Sequence, residues 1–396
     1  MSDPRAHILP VYAPPSEVFV RGEGVNLFTE EGDKYLDFVA GIAVSSLGHS
    51  HPKLVEALQS QAGNLWHLSN MFRVRAGEDL ADKMCARTFA DRVFFTNSGT
   101  EAVECALKSA RKYHWSKGND DRIEFVTFTG AFHGRSLGAI NAGGNPKYLE
   151  GFGPPLEGFR QLEWGDHEAL KEAVTEKTCA VFVEPVQGEG GVRAMPEECL
   201  TGLRKLCDET GTLLIYDEVQ CGMGRTGKLF AHEWAENAAP DIMCVAKGVG
   251  GGFPFGACLM TEEVGLPMQP GSHGSTYGGN PLAMAVGNAV WDIISDEEFL
   301  AHVRKVSGTV AQGLKSLADS HADKVDGVTG KGLLTGLKLK SAPKPVQNAC
   351  REKGLLVGVA GNNVLRLAPP LIIEDEDVRK AVSVMDEALS EWEMEG

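Results

Sequence analysis

Ile242-Met243-Cys244-Val245-Ala246-Lys247-Gly248-Val249-Gly250-Gly251-Gly252 is the stretch that decides the fold. A short apolar run ends at a lysine, and four of the next five residues are glycine. Apolar runs of this length bounded by glycine read as fully buried strands. A lysine at the end of such a strand loses hydration, which disfavours its ammonium form and makes a neutral, nucleophilic amine accessible. The glycines remove side-chain bulk where something large has to approach the backbone.

Working outward, Asp217 ends the apolar run Leu213–Tyr216 in the same way. Glu184 follows Ala180–Val183, and Asn97-Ser98-Gly99-Thr100 follows Val93–Thr96. Glu124–Phe128 and Ala257–Met260 read as further strands. Amphipathic segments lie between them, such as Glu101–Tyr113, where Val103, Ala106, Leu107 and Ala110 share one face. This βα rhythm, from about residue 55 onward, predicts an α/β fold with a mainly parallel sheet. Ligands of open α/β sheets bind beyond the carboxyl ends of the strands, so the four polar strand ends converge on one cleft. An amine able to form a Schiff base, with a carboxylate able to hold a pyridinium proton, is the minimum kit of a pyridoxal-phosphate enzyme. Each residue taken singly also fits an ordinary polar loop.

Ser98 and Glu101 fit a capping box at a helix start. A helix N-terminus beginning at Gly99 suits a phosphate, or is an ordinary cap. In Phe132-His133-Gly134-Arg135 the aromatic can stack on a planar ring and the arginine can grip a carboxylate, or they are a core Phe and a solvated Arg. His133 reads as structural, and no catalytic role is assigned to it. Glu184-Pro185-Val186-Gln187-Gly188-Glu189-Gly190-Gly191 places two carboxylates in a glycine-rich turn. Val364-Leu365-Arg366-Leu367 alternates before Pro369 and Pro370, so Arg366 sits on a rigid strand as a candidate anchor for a substrate carboxylate.

The chain has 396 residues, and its 54 Asp plus Glu outnumber 38 Lys plus Arg, for a formal charge of −16. That balance argues against a sequence-independent grip on nucleic acid or an anionic membrane. Nine cysteines are scattered without a C-x-x-C pair, which reads as reduced thiols in a cytoplasmic protein. Met1–Pro15 carries prolines and charges but no continuous apolar segment, so neither a secretory signal nor a membrane span is expected. No residue set is assigned to a metal.

After about Pro281 the texture changes to longer helical stretches flanking short strands at Leu333–Leu339, Leu355–Val359 and Val364–Leu367, with a final helix near Asp375–Trp392. The organisation predicted is an N-terminal arm (1–54, with extended stretches near Val18–Val20 and Val25–Thr29) packing with the small domain. A large cofactor-binding domain (55–285) and a C-terminal α+β small domain (286–396) follow.

With these residues in view the chain resembles the class III aminotransferases of the fold-type-I pyridoxal-phosphate superfamily. The likeness runs through Asn97-Ser98-Gly99-Thr100-Glu101-Ala102, Phe132-His133-Gly134-Arg135 and Glu184-Pro185-Val186-Gln187-Gly188-Glu189-Gly190. It continues in Asp217-Glu218-Val219-Gln220, Gly224-Arg225-Thr226-Gly227, Ala246-Lys247-Gly248 and Ser275-Thr276-Tyr277-Gly278-Gly279-Asn280-Pro281. The compact length and Leu365-Arg366-Leu367-Ala368-Pro369-Pro370-Leu371 most resemble the acetylornithine aminotransferases of arginine biosynthesis.

The resemblance implies a large domain with a mainly parallel seven-stranded sheet and a smaller α+β domain. It implies pyridoxal 5′-phosphate bound covalently to Lys247, with Asp217 on the pyridine nitrogen and Phe132 stacked on the ring. Gln220 would reach the phenolic oxygen, with Val219 beside the cofactor. Ser98, Gly99 and Thr100 would hold the phosphate, Gly99 and Thr100 through backbone N–H groups and a hydroxyl. Thr276 of a neighbouring subunit would complete that site, making the active unit a homodimer with shared sites. Arg366 would bind the α-carboxylate, Arg135 the distal end and Ser275 the acyl group, while Glu189 would pair with Arg366 when no second carboxylate demands it. The implied reaction moves the δ-amino group of N-acetylornithine to 2-oxoglutarate. Succinyl-diaminopimelate, succinylornithine, ornithine and 4-aminobutyrate are alternative donors. One segment departs from the family pattern: after Trp66-His67-Leu68-Ser69-Asn70 the chain has Met71, Phe72 and Arg73.

Overall fold

The computed structural model describes residues 7–394; the first six residues and the last two, including the start of the Met1–Pro15 stretch, lie outside the described residues. A seven-stranded sheet forms the centre, in the order Arg92–Thr96, Gly256–Met260, Ile242–Val245, Leu213–Asp217, Thr178–Val183, Glu124–Phe128, Phe159–Leu162. Neighbours pair in parallel except that Gly256–Met260 runs antiparallel to both of its partners. Thr178–Val183, Leu213–Asp217 and Ile242–Val245 are buried at every position, as expected for central strands covered on both faces. The edge strand Phe159–Leu162 is the one absent from the sequence reading.

This topology positions the site. The parallel strands bring Thr96, Val183, Asp217 and Val245 to one edge of the sheet. Because Gly256–Met260 runs the other way, its first residue pairs with Thr96 and the loop before it joins the same edge. The helix Gly99–Ser116 starts there, two residues before the expected Glu101, and buries Ala102, Val103, Ala106, Leu107 and Ala110 against the sheet.

A second, antiparallel sheet has the order Val325–Lys331, Leu334–Leu339, Val364–Leu367, Gly358–Ala360. The helix Glu297–Ser320 packs on it, and Asp375–Glu391 packs on that helix along buried Val, Leu, Met and Ala side chains. The expected strand Leu355–Val359 divides in two. Leu355–Leu356 pairs in parallel with Lys34–Asp37 in the N-terminal sheet, whereas Gly358–Ala360 joins Val364–Leu367. The N-terminal strands Phe19–Glu23, Asn26–Thr29 and Lys34–Asp37 are thereby stitched to the C-terminal unit.

Both expected domain boundaries fall inside helices, Pro52–Ala62 and Pro281–Ile294. The second of these packs against Pro52–Ala62 and Arg75–Arg87 along its length. Asn280 caps it by accepting from the Ala283 N–H. We therefore propose that the large unit begins at Pro52 and ends at Ile294.

One local feature runs against propensity. Ala40, Gly41, Ile42 and Ala43 all have positive φ, 48°, 64°, 65° and 63°. Each non-glycine residue in this left-handed conformation costs about 1–2 kcal/mol. Asp37 holds the turn: its Oδ1 accepts from the Val39 and Ala40 N–H groups at 2.8 and 2.9 Å, and its Oδ2 pairs with His49 Nε2 at 2.8 Å.

Candidate active site

A cavity of about 430 Å³ opens at the carboxyl edge of the large sheet. Lys247 lines it, directly after the buried strand Ile242–Val245 and with φ of 50°, which turns the side chain out of the strand direction into the cavity. Burial depresses the lysine to about 8; nearby Glu189 opposes the shift and Arg366 reinforces it. Its amine is therefore partly neutral near physiological pH.

Asp217 lines the same cavity at the end of Leu213–Asp217. Its Oδ1 accepts from the Val219 N–H at 3.0 Å, and its Oδ2 is 2.8 Å from His133 Nδ1. A carboxylate only accepts, so Nδ1 carries the proton of that bond. The imidazole is buried, stacks on Phe182 at 3.9 Å between centroids, and leaves Nε2 without a partner among the described residues. His133 therefore orients Asp217, a function its sequence context did not reveal. Glu184 is a second residue that acts through its neighbours. Its carboxyl accepts from Phe132 N–H at 2.9 Å and Gly188 N–H at 3.3 Å, tying the aromatic to the glycine-rich turn. Burial, then the charge of Asp217, pushes this carboxyl well above the usual carboxylate range.

At the helix start Ser98 Oγ accepts from the Glu101 N–H at 3.3 Å, as the capping box requires. The reciprocal half differs: Glu101 Oε2 takes the Asn97 N–H at 2.7 Å and Asn97 Nδ2 at 2.9 Å. The N–H groups of the first turn, at Gly99 and Thr100, point beyond the helix without an intrahelical partner. Thr100 lines the cavity, and its hydroxyl is also a hub of local contacts. It accepts from Arg135 N–H at 3.3 Å and Ser136 N–H at 3.2 Å, and so fixes the Phe132–Ser136 loop. Gly134 lets this happen: with φ of 127°, a Cβ there would lie 2.4 Å from Thr100 Oγ1.

Phe132, Arg135, Val219 and Gln220 also line the cavity. Arg135 stacks over Tyr148 at 3.9 Å. Arg366 and Glu189 lie behind Gln220. The buried Arg366 pairs with Glu189, donates to Gly188 O at 3.1 Å, and reaches Gln220 Oε1 at 3.3 Å. Burial raises the Glu189 carboxyl, but the guanidinium outweighs it and holds the group below its ordinary value. Ser275 and Thr276 are not brought to this cavity within one chain. Ser275 Oγ accepts from Gly278 N–H at 2.9 Å and Asn97 Nδ2 at 3.2 Å, and Thr276 is exposed. Met71 and Phe72 are likewise exposed, and Arg73 forms a two-pronged pair with Glu78 at 2.6 and 2.9 Å. The departure at Met71–Arg73 leaves this chain's own cavity untouched. Val44, at the end of the left-handed turn, and Phe253–Phe255 line it without having been singled out from the sequence.

Comparison with known proteins gives a consistent result. Residues 11–389 match the family model described as aminotransferase class-III. Acetylornithine aminotransferase 2 of Caulobacter vibrioides is 55% identical over 383 residues, 96% of this chain and 95% of that protein. Acetylornithine aminotransferase of Agrobacterium fabrum is 53% identical, over 98% of this chain and 97% of its own. Among solved structures, N-acetylornithine aminotransferase of Stenotrophomonas maltophilia superposes with a TM-score of 0.83 at 36% identity, covering 96% of this chain and 97% of that one. Ornithine aminotransferase of Toxoplasma gondii, crystallised with partial occupancy of pyridoxal phosphate at its active site, gives 0.92 at 32% identity, covering 97% and 92%. A buried, activated lysine, an oriented aspartate and a phosphate-ready helix start on one sheet edge thus coincide with a full-length family match, and the chain belongs to the class-III aminotransferases.

Proposed function

We propose that this chain transfers the δ-amino group of N2-acetyl-L-ornithine to 2-oxoglutarate, giving N-acetylglutamate 5-semialdehyde and L-glutamate. The observation that carries the reading is the sharing of one cavity edge by Lys247 and Asp217; Arg135 on the cavity wall and Arg366 behind Gln220 are its carboxylate-binding groups. Relatives more than half identical over nearly the whole chain support the choice of donor.

Pyridoxal phosphate supplies an aldehyde that condenses with amines and a ring that accepts the electron pair left when a proton leaves the amine-bearing carbon. The residues fit it. Asp217 offers a buried carboxylate whose remaining lone pairs face the cavity, suited to a protonated ring nitrogen. Gly99 and Thr100 offer helix N-terminal N–H groups for a phosphate. Phe132 and Val219 supply apolar surface for a planar ring.

Lys247 would hold the cofactor through Nζ, and the freed amine would take a proton from one substrate carbon and return it to another. Its lowered proton affinity suits both directions. His133 keeps Asp217 aimed while charge develops. Arg366 binds the carboxylate of either amino or oxo acid, with Glu189 pairing to it otherwise, and Arg135 receives the distal end. Water is kept from the reacting carbons by Val44, Phe132 and the Phe253–Phe255 loop.

The active unit in this reading is a homodimer whose partner adds Thr276 to the phosphate site and Ser275 to the acyl pocket. Trp66, Met71, Phe72 and Tyr277 are 60–80% exposed around those two residues, an apolar surface suited to a second copy. Among the described residues no helix is long and apolar enough to cross a membrane, and all nine cysteines are free, which suits a cytoplasmic location.

The test is a half-reaction. Cofactor-loaded protein is mixed with one donor at a time, without oxo acid, and conversion of the cofactor to its amino form is followed by absorbance. Fastest conversion with N-acetylornithine supports the assignment. Fastest conversion with succinylornithine, succinyl-diaminopimelate, ornithine or 4-aminobutyrate moves the donor, and no conversion with any of them refutes transamination.

A further inference from the structure

Arg225 is among the largest fully buried side chains of the protein, and none of its hydrogen bonds reaches a carboxylate. It belongs to Gly224-Arg225-Thr226-Gly227, a motif with no part in the chemistry above. Burying a guanidinium is expensive unless its donors are satisfied. Here burial depresses it to about 9, with Asp37 as the one favourable charge nearby. Nη1 donates to two carbonyls of the C-terminal unit, Pro369 O and Leu333 O, the latter at 3.4 Å. Nη2 is buried with no partner among the described residues.

The contacts around it run in one direction. The Leu333 N–H donates back to Arg225 O at 2.9 Å. Gly332, at φ of 64°, comes so close that a Cβ would lie 2.6 Å from Thr226 Cα. Pro369 is three residues beyond Arg366 on the same rigid segment. The next residues are held from the other side: Ala368 N–H donates to Phe38 O at 2.8 Å and Leu371 N–H to Ser46 O at 2.7 Å. Phe38 and Ser46 bracket the left-handed turn Ala40–Ala43. One buried cation thus sits where the large unit, the Arg366 strand and the strained turn that ends at Val44 meet.

We infer that Arg225 is a positioning residue that sets Arg366, and with it the carboxylate-binding half of the pocket, without touching the cofactor half. This rests on Arg366 as the carboxylate anchor. A purely structural strut predicts general loss of stability. A positioning strut predicts selective loss of carboxylate recognition, since small misplacements of a binding group are costly even when the mutation is distant.

The experiment uses cofactor-loaded protein and two amine donors: N-acetylornithine, and a straight-chain alkyl monoamine that carries no carboxylate. Arg225→Gln, Arg225→Lys and Arg366→Ala are compared with the parent chain. The ratio of kcat/KM for the two donors and the KM for 2-oxoglutarate are measured with the cofactor absorbance spectrum. Arg225→Gln should lower the ratio about tenfold and raise the KM for 2-oxoglutarate, with kcat and spectrum near those of the parent. Arg225→Lys keeps one donor to Pro369 O and should lie between. Should Arg225→Gln fail to fold, the lysine variant alone decides. A ratio unchanged in the Arg225 variants but lowered in Arg366→Ala overturns the inference and leaves the reading of Arg366 intact. A ratio unchanged in Arg366→Ala as well overturns that reading too.

Discussion

Replacing His133 by leucine separates catalysis from stability. The Nδ1–H···Asp217 bond of 2.8 Å is buried and made to a charged acceptor, so its loss is worth about 1.5–3 kcal/mol. The same substitution removes Nε2, which is buried without a partner among the described residues and whose burial costs about 1–3 kcal/mol. The two effects oppose each other in folding, and leucine still packs against Phe182. The thermal midpoint should therefore move by only a few degrees. In turnover there is no such offset, because Asp217, left with only the Val219 N–H, is less firmly aimed into the cavity. At about 1.4 kcal/mol per factor of ten, kcat should fall between roughly ten- and hundredfold. The assay is steady-state transamination beside thermal unfolding of the same preparations, with His133→Asn as a variant that restores a donor and part of the rate. A large drop in midpoint with kcat preserved would refute the argument, because His133 would then be a core residue and no more.

Lys247→Ala should abolish turnover while the fold persists, and near-normal turnover of that variant would sink the mechanism. Because burial lowers Lys247 to about 8, the neutral amine predominates only above that pH. Recombination of cofactor-free protein with pyridoxal phosphate should slow about tenfold per pH unit below 8 and level off above it; a midpoint near 10 contradicts the burial argument. Arg366→Ala should raise KM for both N-acetylornithine and 2-oxoglutarate by about tenfold or more, since a charge-assisted carboxylate bond is lost in each half-reaction. In Gly188→Ala the new Cβ would lie 1.8 Å from Gln220 Oε1, so Gln220 must leave Arg366 and Glu189. We expect kcat/KM to fall about tenfold, measured with the donor in excess, and an unchanged value would show that Gln220 moves freely.

What the sequence conveyed and what it withheld follow from the range of the forces involved. Six of seven large-sheet strands were legible because central parallel strands are continuous apolar runs, and the strand-end residues Asp217 and Lys247 then followed from topology. Phe159–Leu162 escaped because its Phe-Arg-Gln-Leu sequence mixes polar and apolar at the sheet edge, where only one neighbour, Glu124–Phe128, supports it. The left-handed turn Ala40–Ala43 is illegible for a stronger reason: local propensity opposes it, and it exists only because Asp37 and His49 meet there through the fold. His133 belongs to the same class. Its sequence context is that of any histidine after a strand, and its role comes from lying beside an aspartate 84 positions away. The cofactor half of the site is therefore readable in motifs, since its residues end a strand, open a helix or follow a strand end by a few positions. The substrate half proposed here draws on Val44, Glu189 and Arg366, which lie on the N-terminal arm, in the loop after Thr178–Val183 and on the C-terminal sheet. A short motif cannot encode that juxtaposition, which is why donor choice has to be tested at Arg225 and Arg366 rather than at Lys247.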